Sequence, residues 1–163
     1  MSNSNRTHFI LIKRSGFCSR QSALSATDSA KRLLDSRMWP LWENTRCQHM
    51  VKPGHKVLVY LAGEEADCKK VIASASIVNI TEWSSKKHKA SYPLLLDGVP
   101  VKVLEFDDIE YFDTPIDFRE KLEELSFIPN NRQKWGVSMM GGMRSIEQSD
   151  YDVFRPRTLV TGE

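Results

Sequence analysis

The chain has 163 residues, a mass of 18.7 kDa and a formal net charge of +2, with 40% hydrophobic and 27% charged residues. This composition is typical of a globular protein and excludes a mostly disordered chain, and the length suits one domain with its own core. The charge is unevenly distributed. Residues 1–60 carry ten Lys/Arg against three Asp/Glu, a net charge of +7, and residues 91–130 carry three against ten, a net charge of −7. A basic part beside an acidic part favours an anion-binding surface.

The N-terminal residues lack the apolar stretch of a signal peptide, and no apolar run is long enough to span a bilayer. The three cysteines, Cys18, Cys47 and Cys68, are far apart and form no Cys-x-x-Cys pair. These features predict a soluble, cytoplasmic, reduced protein with no membrane partner, no disulfide framework and no zinc ribbon.

The first half of the chain contains three apolar segments that predict strands and one segment that predicts a helix. The predicted strands cover residues 8–13, 56–62 and 71–80. Helix-forming residues dominate the segment that ends at Asp35, and they predict a helix starting at Ser19 or Asp28.

The second half predicts a basic loop, two more strands and further helices. The loop covers residues 83–91, the strands residues 92–97 and 99–106, the first helix residues 114–125, and a short last helix reaches Phe154. Thr114 is the expected N-cap of that first helix, followed by Pro115 at its first position. The pattern predicts an α+β domain over residues 7–154 with a mixed or barrel-like sheet, a disordered tail at 1–6 and a flexible tail at 155–163.

Motifs that mark common enzyme sites are absent. The four histidines form none of the pairs that zinc enzymes use, and there is no phosphate-binding loop, Gly-x-Ser-x-Gly or dinucleotide-binding glycine motif. We therefore predict no catalytic residue, no metal and no cofactor. Two alternatives stay open. Glu105 and Asp107 fall on one strand face, as a metal-dependent nuclease or a base-modifying enzyme needs. The acidic residues 105–124 would also suit a protein-interaction adaptor.

The segment 37–46 places two tryptophans three positions apart among polar side chains: Trp39, Trp42, Asn44 and Arg46. Aromatic faces stack nucleobases, and an Asn amide pairs with a base edge. The flanking phosphates would be held by Lys13, Arg14 and Arg46. The simpler alternative is that one tryptophan is core and the other is half-buried at the surface.

Five sequence motifs, in their order and spacing, resemble EVE-domain proteins of the PUA-like superfamily. They are Trp42-x-Asn44-x-Arg46, the Met50–Tyr60 segment with Lys52-Pro-Gly54, Leu122-Glu-Glu-Leu-Ser-Phe-Ile128, Trp135-Gly136, and Arg144-Ser-Ile with Asp150-Tyr151. The chain departs from the family pattern at two places. His55 replaces the usual Asp after the turn glycine, and Arg14-Ser15-Gly16 replaces the usual Ser-Glu-Pro after the first strand.

The resemblance implies a barrel-like mixed sheet flanked by two to four helices, related to YTH domains, which hold methylated adenine in an aromatic cage. It implies a non-catalytic domain that recognises a modified, methylated base in DNA or RNA. Carried over by position, Trp39 and Trp42 form or border the cage, and Trp83 closes it. The full set of binding candidates is Lys13, Arg14, Ser15, Trp39, Trp42, Asn44, Arg46, Tyr60, Trp83 and Trp135. Tyr60 and Trp135 have a core role as their alternative. The sequence leaves open the choice of DNA or RNA, the modification and the oligomeric state.

Overall fold

In the computed structural model, residues 7–96 and 98–154 are described, and the two predicted tails lie outside this part of the chain. The strands are β1 (Thr7–Lys13), β2 (Gly16–Ser19), β3 (Ser22–Leu24), β4 (Met38–Leu41), β5 (Lys56–Leu61), β6 (Lys70–Glu82), β7 (Lys102–Asp117) and β8 (Met143–Glu147). The α-helices are α1 (Ala26–Asp35), α2 (Ser85–His88) and α3 (Gln148–Phe154), and 3-10 helices cover Lys89–Ser91, Phe118–Glu124 and Arg132–Met139.

The described residues form a six-stranded mixed sheet that curls into a half-barrel, with strand order β4-β7-β6-β5-β1-β8. β1 pairs with β5 in parallel, and the other neighbours are antiparallel. β2 and β3 form a separate hairpin. The α+β, barrel-like fold class predicted from the sequence is therefore confirmed.

Two hydrophobic clusters cover the two faces of this sheet, because successive strand residues point to opposite sides. Phe9 and Leu11 of β1 pack with α1 in one cluster, which we call the α1 face. Ile10 and Ile12 pack with α3 and the 3-10 helices in the other, the α3 face. β1 therefore contributes to both cores, and its last residue, Lys13, stands at the edge of both.

The N-terminal helix is shorter than the longest predicted span, and its start has a local cause. Ser25 is extended and its side chain accepts a hydrogen bond from the backbone N–H of Asp28, 3.0 Å away. This is an N-cap, so α1 begins at Ala26 rather than at Ser19.

The helix predicted over residues 114–125 is wrong at its start. Ile116 and Asp117 still pair with Val71 and Lys70 of β6, so Thr114 and Pro115 belong to the long strand β7. The Asp117 side chain then accepts the N–H of Arg119 at 2.9 Å and caps a 3-10 helix. Pairing with β6 overrides the local Thr-Pro signal, which is the usual outcome when tertiary contacts oppose a propensity.

Two further segments differ from the prediction. Residues 92–96 contain no strand, and the loop predicted over residues 83–91 contains α2 and a 3-10 turn. The Leu95 N–H instead donates to the Phe17 carbonyl at 2.7 Å. This contact attaches residues 92–95 to the β2–β3 hairpin.

Candidate nucleic-acid interface

A cavity of about 570 Å³ opens where β1 ends, and we call it the main cavity. Four pieces of chain form its wall: residues 13–17, the turn at 42–45, the segment 92–95 and the glycine pair 141–142. They are far apart in sequence, and the end of β1 brings them together. The volume falls in the range of small-molecule sites, roughly 300–1,000 Å³.

The apolar part of the wall is aromatic on several sides. Trp42, Tyr92 and Phe17 line it together with Leu94 and Leu95. Trp42 and Tyr92 are half-buried, while Phe17 is 48% exposed. Two rings at the wall and a third at the mouth give a flat aromatic ligand several surfaces against which it can stack.

The Trp42 ring is held by a turn and has an unpaired polar group. The backbone N–H of Trp42 donates to Thr45 Oγ1 at 2.9 Å, and the backbone N–H of Thr45 donates to the Trp42 carbonyl at 3.0 Å. The Trp42 Nε1 atom is buried and has no hydrogen-bond partner among the described residues. A buried N–H without a partner costs about 1–3 kcal/mol, and such groups are concentrated at functional sites and at water or ligand positions.

Lys13 is the cation of the main cavity. It is half-buried, and burial lowers the pKa of its ammonium. None of the described acidic residues forms an ion pair with it. A Cβ built on Gly16 would lie 3.7 Å from Lys13 Nζ, so the amine sits beside this part of the wall. A desolvated cation without a counter-charge favours the binding of an anion.

The glycine pair closes the cavity beside a second basic group. Gly141 and Gly142 have φ angles of +89° and +80°, which side chains with a Cβ rarely adopt. The Ile12 N–H donates to the Gly142 carbonyl, and the Arg46 N–H donates to the Gly141 carbonyl, both at 2.9 Å. Arg46 is exposed and crosses Gly141 so closely that a Cβ there would lie 3.2 Å from Arg46 Nε.

Arg144 adds to this basic edge. Its guanidinium lies 4.2 Å from the centre of the Phe127 ring and donates to the Ser138 carbonyl at 3.2 Å. Burial first, and then the positive charge of Arg46, lower the pKa of Arg144. The positive charge of Arg46 thus disfavours the charged form of Arg144, and a bound anion nearby would offset this repulsion.

A smaller cavity of about 100 Å³, the inner recess, adjoins the main cavity. Trp39, Leu33 and Pro40 line it, together with residues that also line the main cavity. Trp39 is 4% exposed and packs against Phe106 with ring centres 6.2 Å apart. Trp39 is thus a core residue whose remaining open side faces the inner recess.

The structure brings four of the predicted binding residues to the main cavity: Lys13, Ser15, Trp42 and Asn44. Arg46 stands beside its glycine wall, whereas Arg14 is exposed and does not line it.

Trp83 does not line the main cavity, but it supports a residue that does. Its ring meets Tyr92 edge to face with centres 6.1 Å apart and lies 5.2 Å from His88. Its Nε1 donates to Ser85 Oγ at 3.0 Å. Trp83 therefore fixes the position of Tyr92 from behind.

Tyr60 and Trp135 lie on the α3 face, away from the main cavity. Tyr60 is 2% exposed, and its ring centre is 5.2 Å from that of Phe118. The Trp135 ring is half-buried and 5.4 Å from Phe118. Both side chains fill the α3-face core, which is the alternative that their sequence context left open.

Sequence reasoning missed Phe17, Thr45, Tyr92 and the glycine pair. Tyr92 falls in the strand predicted over residues 92–97, and Phe17 stands in a short hairpin with no strong pattern. The two adjacent glycines, Gly141 and Gly142, were the one local signal, because paired glycines often mark a close approach of backbone to a neighbour.

Acidic side chains are absent from the lining of the main cavity within the described chain. Glu105 accepts a hydrogen bond from Asn79 at 3.4 Å, and Asp107 pairs with Arg37 at 3.1 Å. A separate cavity of about 470 Å³ contains Asp35, Asp67 and Asp113. Among residues 7–96 and 98–154, no three His, Cys, Asp or Glu side chains are grouped to hold a metal ion, and no helix is long and apolar enough to cross a membrane.

No family model matches the sequence. The chain is similar to a UPF0310 protein of Pyrococcus abyssi (strain GE5 / Orsay), with 29% identity over 140 residues that cover 76% of this chain and 88% of the relative.

Several solved structures share the fold. The ASCH protein of Zymomonas mobilis has a TM-score of 0.57 at 9% identity and covers 95% of this chain and 98% of its own. The N-terminal domain of Staphylothermus marinus McrB has a TM-score of 0.57 at 8% identity, with coverages of 94% and 96%. The DUF55 domain of human thymocyte nuclear protein 1 has a TM-score of 0.51 at 12% identity, with coverages of 89% and 94%. These likenesses identify a PUA-like fold.

Proposed function

We propose that this chain is an EVE-type member of the PUA-like proteins that binds DNA or RNA without catalysis and recognises a modified, methylated base in the main cavity. The observation that carries the proposal is the wall of that cavity, where the rings of Trp42 and Tyr92 stand beside the ammonium of Lys13, which forms no ion pair with the described residues. The resemblance of the Trp42-x-Asn44-x-Arg46 motif to EVE-domain proteins supports the same function.

The aromatic wall suits a base that has left its stack. A flipped base loses its neighbours in the strand and regains stacking between aromatic side chains, at roughly 1–3 kcal/mol per base. Asn44 is exposed at the wall, and its amide can pair with a base edge.

The cationic residues suit the sugar-phosphate backbone on either side of that base. Lys13 lies in the wall, and Arg46 lies beside the glycine pair. Phosphate contacts by such groups position a strand without selecting its sequence. Selection then depends on the base in the cavity, where a buried methyl group contributes roughly 0.8 kcal/mol.

The test is a panel of labelled oligonucleotides of one sequence, single- and double-stranded, in DNA and RNA forms. The central base is unmodified, or it carries N6-methyladenine, 5-methylcytosine or 5-hydroxymethylcytosine. We expect salt-dependent binding in filter-binding assays, with a preference for one modified strand over its unmodified match. Equal affinity for all strands would contradict the recognition of a modified base. The absence of salt-dependent binding would contradict the nucleic-acid function itself.

The metal-dependent nuclease is the enzyme alternative, and one substitution tests it. If Asp107 holds a catalytic metal, Asp107→Asn abolishes Mg²⁺-dependent cleavage of the same strands. Asp107 forms an exposed pair with Arg37, so we expect no cleavage by either protein and little change in the free energy of unfolding. Cleavage by the wild type that the variant lacks would establish the enzyme instead.

A further inference from the structure

Three lysines stand together on α2 and on the 3-10 turn that follows it: Lys86, Lys87 and Lys89. We call residues 84–91 the α2 segment, and it contains no Asp or Glu. All three lysine side chains are exposed, and none forms an ion pair with a described acidic residue, not even with Glu82, which precedes the segment. Lys86 and Lys89 are three positions apart, so they share one side of the turn and repel each other.

The backbone that carries these lysines is held in place by His88. The His88 ring is buried, and its centre lies 5.2 Å from that of Trp83. Its Nδ1 accepts the backbone N–H of Ser84 at 2.9 Å, and its carbonyl accepts the hydroxyl of Ser91 at 3.2 Å. The Ser84 side chain caps α2 by accepting the backbone N–H of Lys87 at 3.3 Å. Because this backbone is already ordered, binding costs less entropy than the ordering of a loose basic tail would.

The α2 segment leads directly into the wall of the main cavity. The backbone N–H of Tyr92 donates to the Lys89 carbonyl at 3.3 Å and closes the 3-10 turn. Such a turn rises about 2 Å per residue, so Lys89 stands only about 6 Å before Tyr92 along the turn. The Trp83 ring contacts both His88 and Tyr92. The lysines and this part of the aromatic wall therefore belong to one packed unit.

Basic side chains thus stand beside two different pieces of the cavity wall. Arg46 adjoins the glycine pair, and the α2 segment adjoins residues 92–95. A base inside a strand has one phosphate before it and one after it, so a base held in the main cavity brings a negative charge on each side. Two separate basic groups can hold both of these phosphates.

We propose that the α2 segment binds the sugar-phosphate backbone on one side of the base held in the main cavity, while Arg46 binds it on the other side. The inference rests on the proposed function, because the base has to occupy the main cavity. The strand then crosses the mouth of the cavity from the glycine pair to α2. Phosphate contacts carry no information about the base, so the α2 segment adds affinity equally for modified and unmodified strands.

The first test compares two triple variants of the full chain. One carries Lys86→Gln, Lys87→Gln and Lys89→Gln, and the control carries Lys31→Gln, Lys52→Gln and Lys134→Gln. The control lysines are also exposed, form no ion pair with the described acids and do not line the main cavity, and both variants lose the same net charge. We expect the α2 variant to reduce the slope of log K against log salt by about one to three units. Its affinity should fall by the same factor for the modified strand and its unmodified match.

The outcomes separate this inference from the proposed function. A wild-type slope in the α2 variant, or an equal loss of slope in both variants, overturns the role of the α2 segment and leaves the proposed function standing. The absence of salt-dependent binding by the wild type contradicts the proposed function itself.

The second test locates the strand. Neutral methylphosphonate linkages replace the phosphates of the preferred strand one at a time, before and after the base that the cavity holds. Wild-type affinity should fall for neutral linkages on both sides of that base. In the α2 variant the linkages on one side should lose their effect, because the cations that met them are gone, and in Arg46→Gln those on the other side should. Wild-type sensitivity on one side only, or an α2 variant that stays sensitive on both sides, overturns the inference.

Discussion

Aromatic side chains collect on both faces of the sheet, but on one face they pack around a shared buried ring, whereas on the other some of them border a cavity. On the α3 face the buried Phe118 ring lies 5.2–5.7 Å from Tyr60, Trp135 and Phe154. On the α1 face Trp42 and Tyr92 line a space of about 570 Å³. Aromatic content is therefore a poor guide to a binding site, and the volume that the rings leave unfilled is a better one.

The largest expected effect concerns the α3 face, where aromatic rings fill the core. Phe118→Ala should lower the free energy of unfolding by about 3–5 kcal/mol, because it removes the ring on which the other aromatic side chains of the α3 face pack. Urea denaturation followed by circular dichroism measures this. The folded fraction should bind oligonucleotides as the wild type does, and a loss below about 1 kcal/mol would mean that the α3 face is loosely packed.

The next largest effect concerns the main cavity on the α1 face. Trp42→Ala should weaken binding of the preferred strand by roughly 1–3 kcal/mol, the usual contribution of one stacked base. Trp135→Ala is the matched control, because that ring packs on Phe118 instead of lining the cavity. It should lower stability and leave the affinity unchanged. The opposite pattern, with binding lost in the Trp135 variant, would reverse the roles of the two faces.

The charge of Lys13 provides a further test of the main cavity as the binding site. Lys13→Met should reduce the slope of log K against log salt by about one unit, as expected when one phosphate contact is lost. Burial lowers the pKa of Lys13, so its charged form is disfavoured in the fold, and removing the charge should leave stability unchanged or raise it. Lys31→Met, on the exposed side of α1, is the control and should keep the wild-type slope. A slope unaltered by Lys13→Met would remove Lys13 from the interface.

The smallest effect concerns alkaline pH. Burial raises the pKa of Tyr92 to about 12, whereas a tyrosine in the unfolded chain ionises near 10. Between these values the unfolded chain loses a proton that the folded chain keeps, so stability falls as pH rises from about 10 to 12. The Tyr92→Phe protein should lose less stability over this pH range, because it lacks this ionisable group. Urea midpoints measured at pH 8 and pH 11 test it, and an equal fall in both proteins would show that Tyr92 is not buried.

Three central strands of the sheet were the easiest to predict. β1 and β5 are apolar over long runs because both of their faces are buried, and the same holds for the first half of β6. β4 was missed because it contains Pro40, which ordinarily interrupts a strand. The strand tolerates this proline because β4 is at the edge of the sheet and pairs only with β7.

The candidate site was predictable only where its residues are close in sequence. Trp42 and Asn44 stand in one short motif, and Lys13 ends a clear strand. The segment that carries Tyr92 is held beside the cavity by the hydrogen bond from the Leu95 N–H to the Phe17 carbonyl, a contact between segments almost 80 residues apart. No local pattern encodes such a contact. Tyr60 and Trp135 were included among the candidates because residue type alone does not reveal which face of the sheet a ring occupies.

The four tryptophans stand in four different surroundings. Trp39 faces the inner recess, Trp42 the main cavity, Trp83 the His88 ring and Trp135 the Phe118 ring. Because indole emission depends on the polarity around the ring and on nearby quenchers, we expect the four rings to emit differently. Replacing Trp83 and Trp135 by phenylalanine leaves a chain whose tryptophan emission comes only from Trp39 and Trp42, at the two cavities. Acrylamide quenching of this chain should fall when a ligand enters the main cavity. The binding of unlabelled ligands can therefore be followed by the fluorescence of the protein itself.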